Sequence, residues 1–211
     1  NSSISYAKRK VDEYGMKNID FIEMDILELP ELNKRFDLIE CSGVLHHMQD
    51  PSEGLSNLLK VIEQNGFLKL GLYSTYAREE IIKAREVIKE KDIKSNLDEI
   101  RSFRNDVLNG DIKKLNEITN WSDFYSTSMC RDLCFHSHEN CYSLIEIKNM
   151  LKVSNLEFLG FTLSKDIKDK YQIDNKDKDS LKDLELWDKF EKLNPNSFRE
   201  MYQFWTRKSI K

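Results

Sequence analysis

The sequence predicts an α/β fold, and three observations carry that reading. Short apolar runs of strand length recur at Phe36–Cys41 (FDLIEC), Phe67–Tyr73 (FLKLGLY) and Leu156–Leu163 (LEFLGFTL). Between them lie segments whose apolar residues repeat at helical spacing. The helix starts carry N-cap signatures, which place the boundaries. Strands alternating with helices argue for a mostly parallel sheet covered by helices.

Taken in order, Ser2 or Ser3 caps a first helix with Ile4, Ala7, Val11 and Tyr14 on one stripe, and Gly15 stops it. Asn18–Met24 places Ile19, Phe21 and Met24 among polar neighbours and is expected to be a strand ending at Asp25. The strand Phe36–Cys41 follows. Asp50-Pro51-Ser52-Glu53 then combines an N-cap, a proline where its missing N–H costs nothing, and a capping box. That helix buries Leu55, Leu58, Leu59 and Ile62. Asn65-Gly66 is expected to turn the chain into Phe67–Tyr73, where Leu68, Leu70 and Leu72 share a face. A helix from about Ala77 aligns Ile81, Arg85 and Ile88.

The second half is more irregular. Residues 91–142 read as helical pieces around the aromatic loop Trp121–Tyr125. Ser143 and Glu146 form another capping box, opening a helix with Ile147, Met150 and Leu151. The strand Leu156–Leu163 follows, and Lys165–Ser180 reads as a solvated polar loop. A helix with Leu186, Trp187, Phe190 and Leu193 packs on the core and stops before Pro195; Met201–Thr206 is the last strand. The division predicted is residues 1–90 as sheet core, 91–142 as a helical insertion or substrate cap, and 143–211 as the remaining helix and last two strands.

Composition excludes several classes. The 211 residues carry 33 Lys plus Arg against 37 Asp plus Glu, a net charge of −4, so no basic face argues for nucleic acid. No run approaches the roughly 18 apolar residues of a membrane span, and no signal-peptide h-region opens the chain. Four cysteines do not suggest a disulfide framework, and a cytoplasmic setting is expected. Cys130, Cys134, His136, His138 and Cys141 match no common zinc spacing, so no metal is expected; Cys134, His136 and His138 read as alternating along an extended segment that lines a substrate pocket.

Ligands in open α/β sheets bind beyond the carboxyl ends of the strands. Here those ends are Asp25-Ile26, Cys41-Ser42-Gly43-Val44-Leu45-His46-His47 and Tyr73-Ser74. The runs MDILEL (24–29), FDLIECSGVLHHMQDP (36–51) and GFLKLGLYS (66–74) resemble the third strand, fourth strand with its helix, and fifth strand of class I S-adenosylmethionine-dependent methyltransferases. The helix at 3–15 resembles that family's second helix, and residues 131–151, 156–161 and 201–208 resemble a bacterial subgroup often attached to tetratricopeptide-type repeats. The resemblance implies a Rossmann-like class I methyltransferase fold lacking its first two strands, with helical insertions, in the sheet order 3-2-1-4-5-7-6. It implies S-adenosyl-L-methionine as cofactor and methyl transfer to an unidentified acceptor.

Carried over by residue, the resemblance implies that Asp25 accepts a hydrogen bond from the adenine amine and Ile26 offers a backbone N–H. Cys41, Ser42 and Gly43 would line the methionine end, Gly43 allowing close backbone approach. His46 or His47 would take a proton from the attacking group. Tyr73, His136 and His138 would line the acceptor side. The glycine-rich loop and the ribose-binding acid of the family have no counterpart here, so the chain is expected to be a fragment that binds the cofactor weakly alone. The alternative is a non-catalytic methyltransferase-like binding module, marked by an exposed apolar groove where the first two strands would lie. A nicotinamide-dependent oxidoreductase is disfavoured, because no G-x-G-x-x-G is present.

Overall fold

The computed structural model describes residues 2–136 and 138–208. Asn1, ahead of the first helix, and residues 209–211, the end of the third predicted segment, lie outside the described residues. The elements are α1 (Ser2–Glu13), β1 (Phe36–Ser42), α2 (Pro51–Val61), β2 (Ile62–Ser74), α3 (Glu79–Glu90), α4 (Leu97–Leu108), α5 (Thr127–Phe135), β3 (Cys141–Tyr142), α6 (Leu144–Val153), β4 (Leu156–Phe161), α7 (Lys165–Asp174), α8 (Leu184–Leu193) and β5 (Tyr202–Lys208). Short 3₁₀ segments fill several of the connections, among them Ile26–Leu32 and Leu45–His47.

The sheet runs β1-β2-β5-β4, with β3 pairing β2 separately. β1 and β2 are parallel, while β5 runs antiparallel to both β2 and β4. Set against the 4-5-7-6 half of the order implied by the resemblance, this is the same sequence of strands and the same Rossmann-like class I arrangement. Leu68, Leu70 and Leu72 are fully buried on β2, and Leu55 and Leu58 of α2, Ile147 and Leu151 of α6, and Trp187 of α8 pack around the sheet.

A second core lies beside the first. Ile81, Ala84, Val87 and Ile88 of α3 meet Ile100, Phe103 and Val107 of α4, with Leu115, Ile118, Phe124 and the α5 residues Cys130, Leu133 and Cys134. The chain therefore builds a helical cap with its own buried centre, rooted on the sheet through α3.

Several sequence expectations are corrected. Asn18–Met24 is not a strand: it runs without ladder partners, and Ile19 and Ile22 are exposed. A strand needs a neighbour to satisfy its backbone. In the resembled order strands 2 and 1 lie between it and β1, and no described segment takes those places. On the free side of β1, Phe36 and Leu38 are likewise exposed. Asn65-Gly66 does not separate helix from strand; β2 begins at Ile62 and passes through Asn65 at φ 70° as a bulge. Partners jump from Phe36↔Ile62 to Leu38↔Phe67 there. Asp50 caps α2 through the Ser52 and Glu53 N–H groups, with Pro51 at the first turn, but Glu53 does not return the second bond of a box.

Lys165–Ser180 is not a solvated loop. Its first half is α7, anchored by a buried Tyr171 that stacks on Trp187 at 3.6 Å and donates its hydroxyl hydrogen to the Ser180 carbonyl at 2.7 Å. The charged residues around Tyr171 face solvent and mask the one aromatic anchor. Leu193 does not pack with Trp187 and Phe190; it is 83% exposed at the end of α8. Cys134 does not alternate with His136 along a strand either, because it lies in α5 one turn from Cys130, with both thiols buried in the cap.

Trp187 is the largest side chain in the main core, and it holds α7, α8 and the Phe198 turn together. Trp187→Ala is expected to cost about 3–5 kcal/mol, the usual range for emptying a buried aromatic site. Urea denaturation checks this; a loss under about 1 kcal/mol would show that the stack is not holding α7.

Candidate functional site

Parallel pairing of β1 with β2 brings their carboxyl ends to one rim, with Ser42 opposite Gly71. Little space separates the strands there. A Cβ on Gly71 would lie 2.8 Å from Ser42 Cβ and 2.9 Å from its Cα, so glycine permits the approach. Gly43 follows at φ +76°, a conformation glycine adopts without strain, and its N–H donates to the Gly71 carbonyl at 3.3 Å. Nothing lies within 4 Å of where a Gly43 side chain would start, so the turn opens on free space.

The chain then coils through Leu45–His47. Leu45 is buried against α2, where Gly54 lets it lie close to the helix backbone. His46 is fully buried and stacks on Tyr73 at the end of β2, with ring centroids 3.8 Å apart. Among the described residues neither ring nitrogen of His46 makes a hydrogen bond of ordinary geometry, and the Gly71 backbone nearby offers it only a weak polar interaction that opposes the effect of burial. His47 meets His46 edge-on at 4.4 Å and the His136 ring at 4.2 Å. Its Nδ1 lies 3.3 Å from the His138 carbonyl, to which an Nδ1–H donates.

The segment around residues 138–142 fastens the cap to this turn. Asn140 donates from its backbone N–H to the His46 carbonyl at 2.7 Å, and from its side-chain amide to the same carbonyl and to that of Met48 at 3.0 Å. Cys141 and Tyr142 then pair with Tyr73 and Ser74 as β3. Glu139 is buried and receives a two-pronged bond from Arg78, at 2.9 and 3.1 Å, and a third from Arg85 at 2.7 Å. The Arg78 guanidinium lies 3.7 Å over the Tyr73 ring, on a ladder that continues to His46. Removing one partner from such a buried ion cluster typically costs about 3–5 kcal/mol, because a charge is left behind without compensation.

Electrostatics follow from burial. Desolvation lowers the His46 pKa to about 4, the neighbouring His47 adding to the effect, so the ring is neutral near pH 7. His47 is lowered too, chiefly by burial, with the His138 carbonyl opposing. Burial pushes the Cys41 thiol up to about 11, so it stays protonated. Burial alone would raise the Glu139 carboxyl, but Arg78 and Arg85 override it and hold it below the usual carboxylate range. Tyr73 is raised by burial and keeps its hydroxyl proton.

The predicted residues are therefore brought together unequally. Cys41, Ser42, Gly43, His46, His47, Tyr73, His136 and the His138 backbone form one connected rim. Asp25 and Ile26 open a neighbouring turn. Asp25 caps it by accepting from the Leu27 N–H at 2.9 Å, Glu28 completes the box, and Ile26 packs on the sheet core. This turn is tied to α2, where the Asn57 amide donates to the Leu27 carbonyl at 3.2 Å. Among the described residues no hydrogen bond joins Asp25 to the Ser42–His47 turn. Arg78, Arg85, Glu139 and Asn140 were missed by sequence reasoning, since their partners lie 48 to 94 positions away. Among the described residues no cluster of three His, Cys, Asp or Glu side chains is arranged to hold a metal ion.

Residues 1–127 match the family model described as "Methyltransferase domain". The chain belongs to that methyltransferase family. An uncharacterised protein of Synechococcus is 25% identical over 168 residues, covering 76% of this chain and 40% of its own length. Two structures of PKMT2 from Rickettsia typhi share the fold at 15% identity. One has a TM-score of 0.67, and the other, in complex with AdoHcy, 0.69; each match covers 98% of this chain and 42% of the other. This methyltransferase chain thus spans about two-fifths of the length of the relatives it matches. Among the described residues no helix is long and apolar enough to cross a membrane.

The depressed His46 pKa carries a stability consequence. An unfolded histidine takes its proton near 6.5 and the folded one only near 4. The contribution is thus present above about pH 6.5 and is lost as pH falls through 4. At about 1.4 kcal/mol per pKa unit the loss is on the order of 3 kcal/mol. A histidine ring-proton titration is expected to show one resonance with a midpoint near 4; four histidines all titrating at 6 or above would contradict the burial of His46.

Proposed function

We propose that this rim is the catalytic half of a methyl-transfer site that uses S-adenosyl-L-methionine. The carrying observation is the Gly43 turn, open in front and at positive φ, standing beside a buried histidine whose ring nitrogens make no hydrogen bond of ordinary geometry among the described residues. A buried imidazole without hydrogen bonds costs free energy unless a ligand or reacting group supplies them. The donor set fits the cofactor. Asp25 and the Ile26 N–H would hold adenine, while the Ser42–Gly43 backbone and the neutral Cys41 thiol would flank the methionine end. The bound sulfonium supplies an electrophilic methyl group.

The chain's own residues orient the attacking atom. With its pKa near 4, His46 is a poor proton acceptor at neutral pH but a good hydrogen-bond acceptor for an incoming O–H or N–H. His47 is the better proton acceptor of the pair. Its Nδ1–H is held by the His138 carbonyl, which leaves Nε2 as its basic atom. Tyr73 and His136 border this pair and would face the acceptor. Cap and sheet are locked together by Asn140 and Glu139, so the geometry is preorganised rather than assembled on binding.

The proposal includes that residues 1–211 form part of a larger enzyme, supported by the edge position of β1 and by residues 18–24, whose strand-like pattern joins no described sheet. Calorimetric titration of these residues alone is then expected to show no tight cofactor binding, and nanomolar binding would overturn this part. A second reading, a non-catalytic module that docks a partner strand on β1, is favoured by the exposed Ile19, Ile22, Phe36 and Leu38. Methyl transfer from labelled cofactor by the full-length protein separates the two. His46→Ala and His47→Ala are each expected to slow transfer about 10²-fold or more. Unchanged rates in both variants would remove the histidines from the mechanism, and no transfer by the wild type to any protein, sugar, lipid or small-molecule pool would favour the docking reading.

A further inference from the structure

Behind the rim lies a buried acid that methyl transfer does not require. Glu191 of α8 has no exposed surface. One of its oxygens accepts from the Ser74 hydroxyl at 2.5 Å and the other from the Tyr202 hydroxyl at 2.6 Å. These are the lengths of bonds from a hydroxyl to an ionised carboxylate. Ser74 Oγ in turn accepts the Ala77 N–H at 3.0 Å, which sets the path of the turn from β2 into α3. Tyr73 stands immediately before that turn and Arg78 immediately after it, and the two stack against each other and His46.

We propose that Glu191 is the positioning residue of the rim: its carboxylate holds the Ser74–Ala77 turn, keeps Tyr73 and Arg78 in register with His46, and relaxes that stack when it takes up a proton. The hydrogen-bond chemistry gives the reason. As a carboxylate, Glu191 only accepts, and both hydroxyls donate to it. Once protonated it must donate to one of them, so Ser74 or Tyr202 has to turn its own hydrogen elsewhere. Ser74 already spends a lone pair on the Ala77 N–H, so the reversal loads the turn.

The groups facing Glu191 come from three elements. From α8 there is Asp188, itself buried, with Oδ2 paired to Lys192 at 2.8 Å and Oδ1 without a partner. From β5 there is Tyr202, and from β2 the Ser74 hydroxyl. The Lys148–Glu185 pair bridges α6 and α8 on the exposed flank, and the Tyr171 hydroxyl of α7 is committed to the Ser180 carbonyl. Burial raises the Glu191 pKa to about 7, against the two hydroxyl bonds that lower it. The proton is therefore exchanged near neutrality, whereas His46 stays neutral through that range.

The inference concerns the site proposed above, but its test needs neither cofactor nor acceptor, so the two readings fail separately. Protein labelled at the histidine ring carbons is followed by NMR from pH 5.5 to 8.5. The His46 resonance is expected to show a step centred near pH 7 that reports its neighbour's titration. Glu191→Gln keeps the size of the side chain, removes the titration and, like the protonated acid, accepts through one terminal atom and donates through the other; it is expected to abolish that step while leaving the lower-pH transitions. Should Glu191→Gln fail to fold, Ser74→Ala provides the readout, because it removes the hydroxyl that links Glu191 to the turn and is expected to uncouple His46 from the step. A His46 signal that stays flat from pH 6 to 8 in the wild type, or a step that survives in Glu191→Gln or in Ser74→Ala, overturns the proposal.

Discussion

Everything at the candidate site depends on the parallel pairing of β1 with β2. Two parallel neighbours cannot be joined by a tight turn, so the chain must cross over through a helix, here α2, before the second strand can form. That crossover forces both carboxyl ends to the same rim. It places the Ser42–His47 turn beside Tyr73 and Ser74, and it lets glycines at 43 and 71 bring the backbones close. With an antiparallel pairing the same residues would sit at opposite ends of the sheet. The chemistry is therefore a consequence of topology before any side chain is considered.

A second constraint is the strap from Glu139 to Tyr142. It follows the helical part and ties it to the sheet: Asn140 bonds to the turn backbone, Glu139 to Arg78 and to Arg85 of α3, and Cys141 and Tyr142 to β2. The Glu139 carboxylate, Arg78, Tyr73 and His46 form one continuous stack of charge and rings. Because His46, Arg78 and the Glu139 side chain are buried and Tyr73 is half-buried between them, displacement of one leaves the others in an unsatisfied environment. The helical part is thereby tied to the sheet, while its own core of Ile100, Phe103, Leu115 and Phe124 stays separate from the sheet core.

Much of this was legible in the amino-acid order. FDLIEC, FLKLGLY, the capped helix at Asp50 and the last two strands are short-range patterns, and each became an element within a few residues of its expected place. The failures share a physical cause. Asn18–Met24 has a strand pattern but no partner, and pairing is not encoded in the strand itself. Lys165–Ser180 looked solvated because one buried Tyr171 among many charges gives no periodic signal. At the site, Gly43, His46 and Tyr73 could be located from strand ends. Arg78, Glu139, Asn140 and Glu191 could not, since a buried ion cluster is defined by contacts across the chain, and each residue alone reads as a solvated surface group.

The proposed function requires two turns to serve one ligand: Asp25-Ile26 and Ser42–His47, both of which contact α2. The most direct test is an amide NMR titration of the isotopically labelled chain with S-adenosylhomocysteine, which registers even millimolar binding. The amides of Ile26, Ser42, Gly43 and His47 are expected to shift together and saturate on a single curve with one dissociation constant. Shifts confined to one turn, or two turns saturating at different concentrations, would contradict a shared pocket and with it the methyl-transfer reading of the rim.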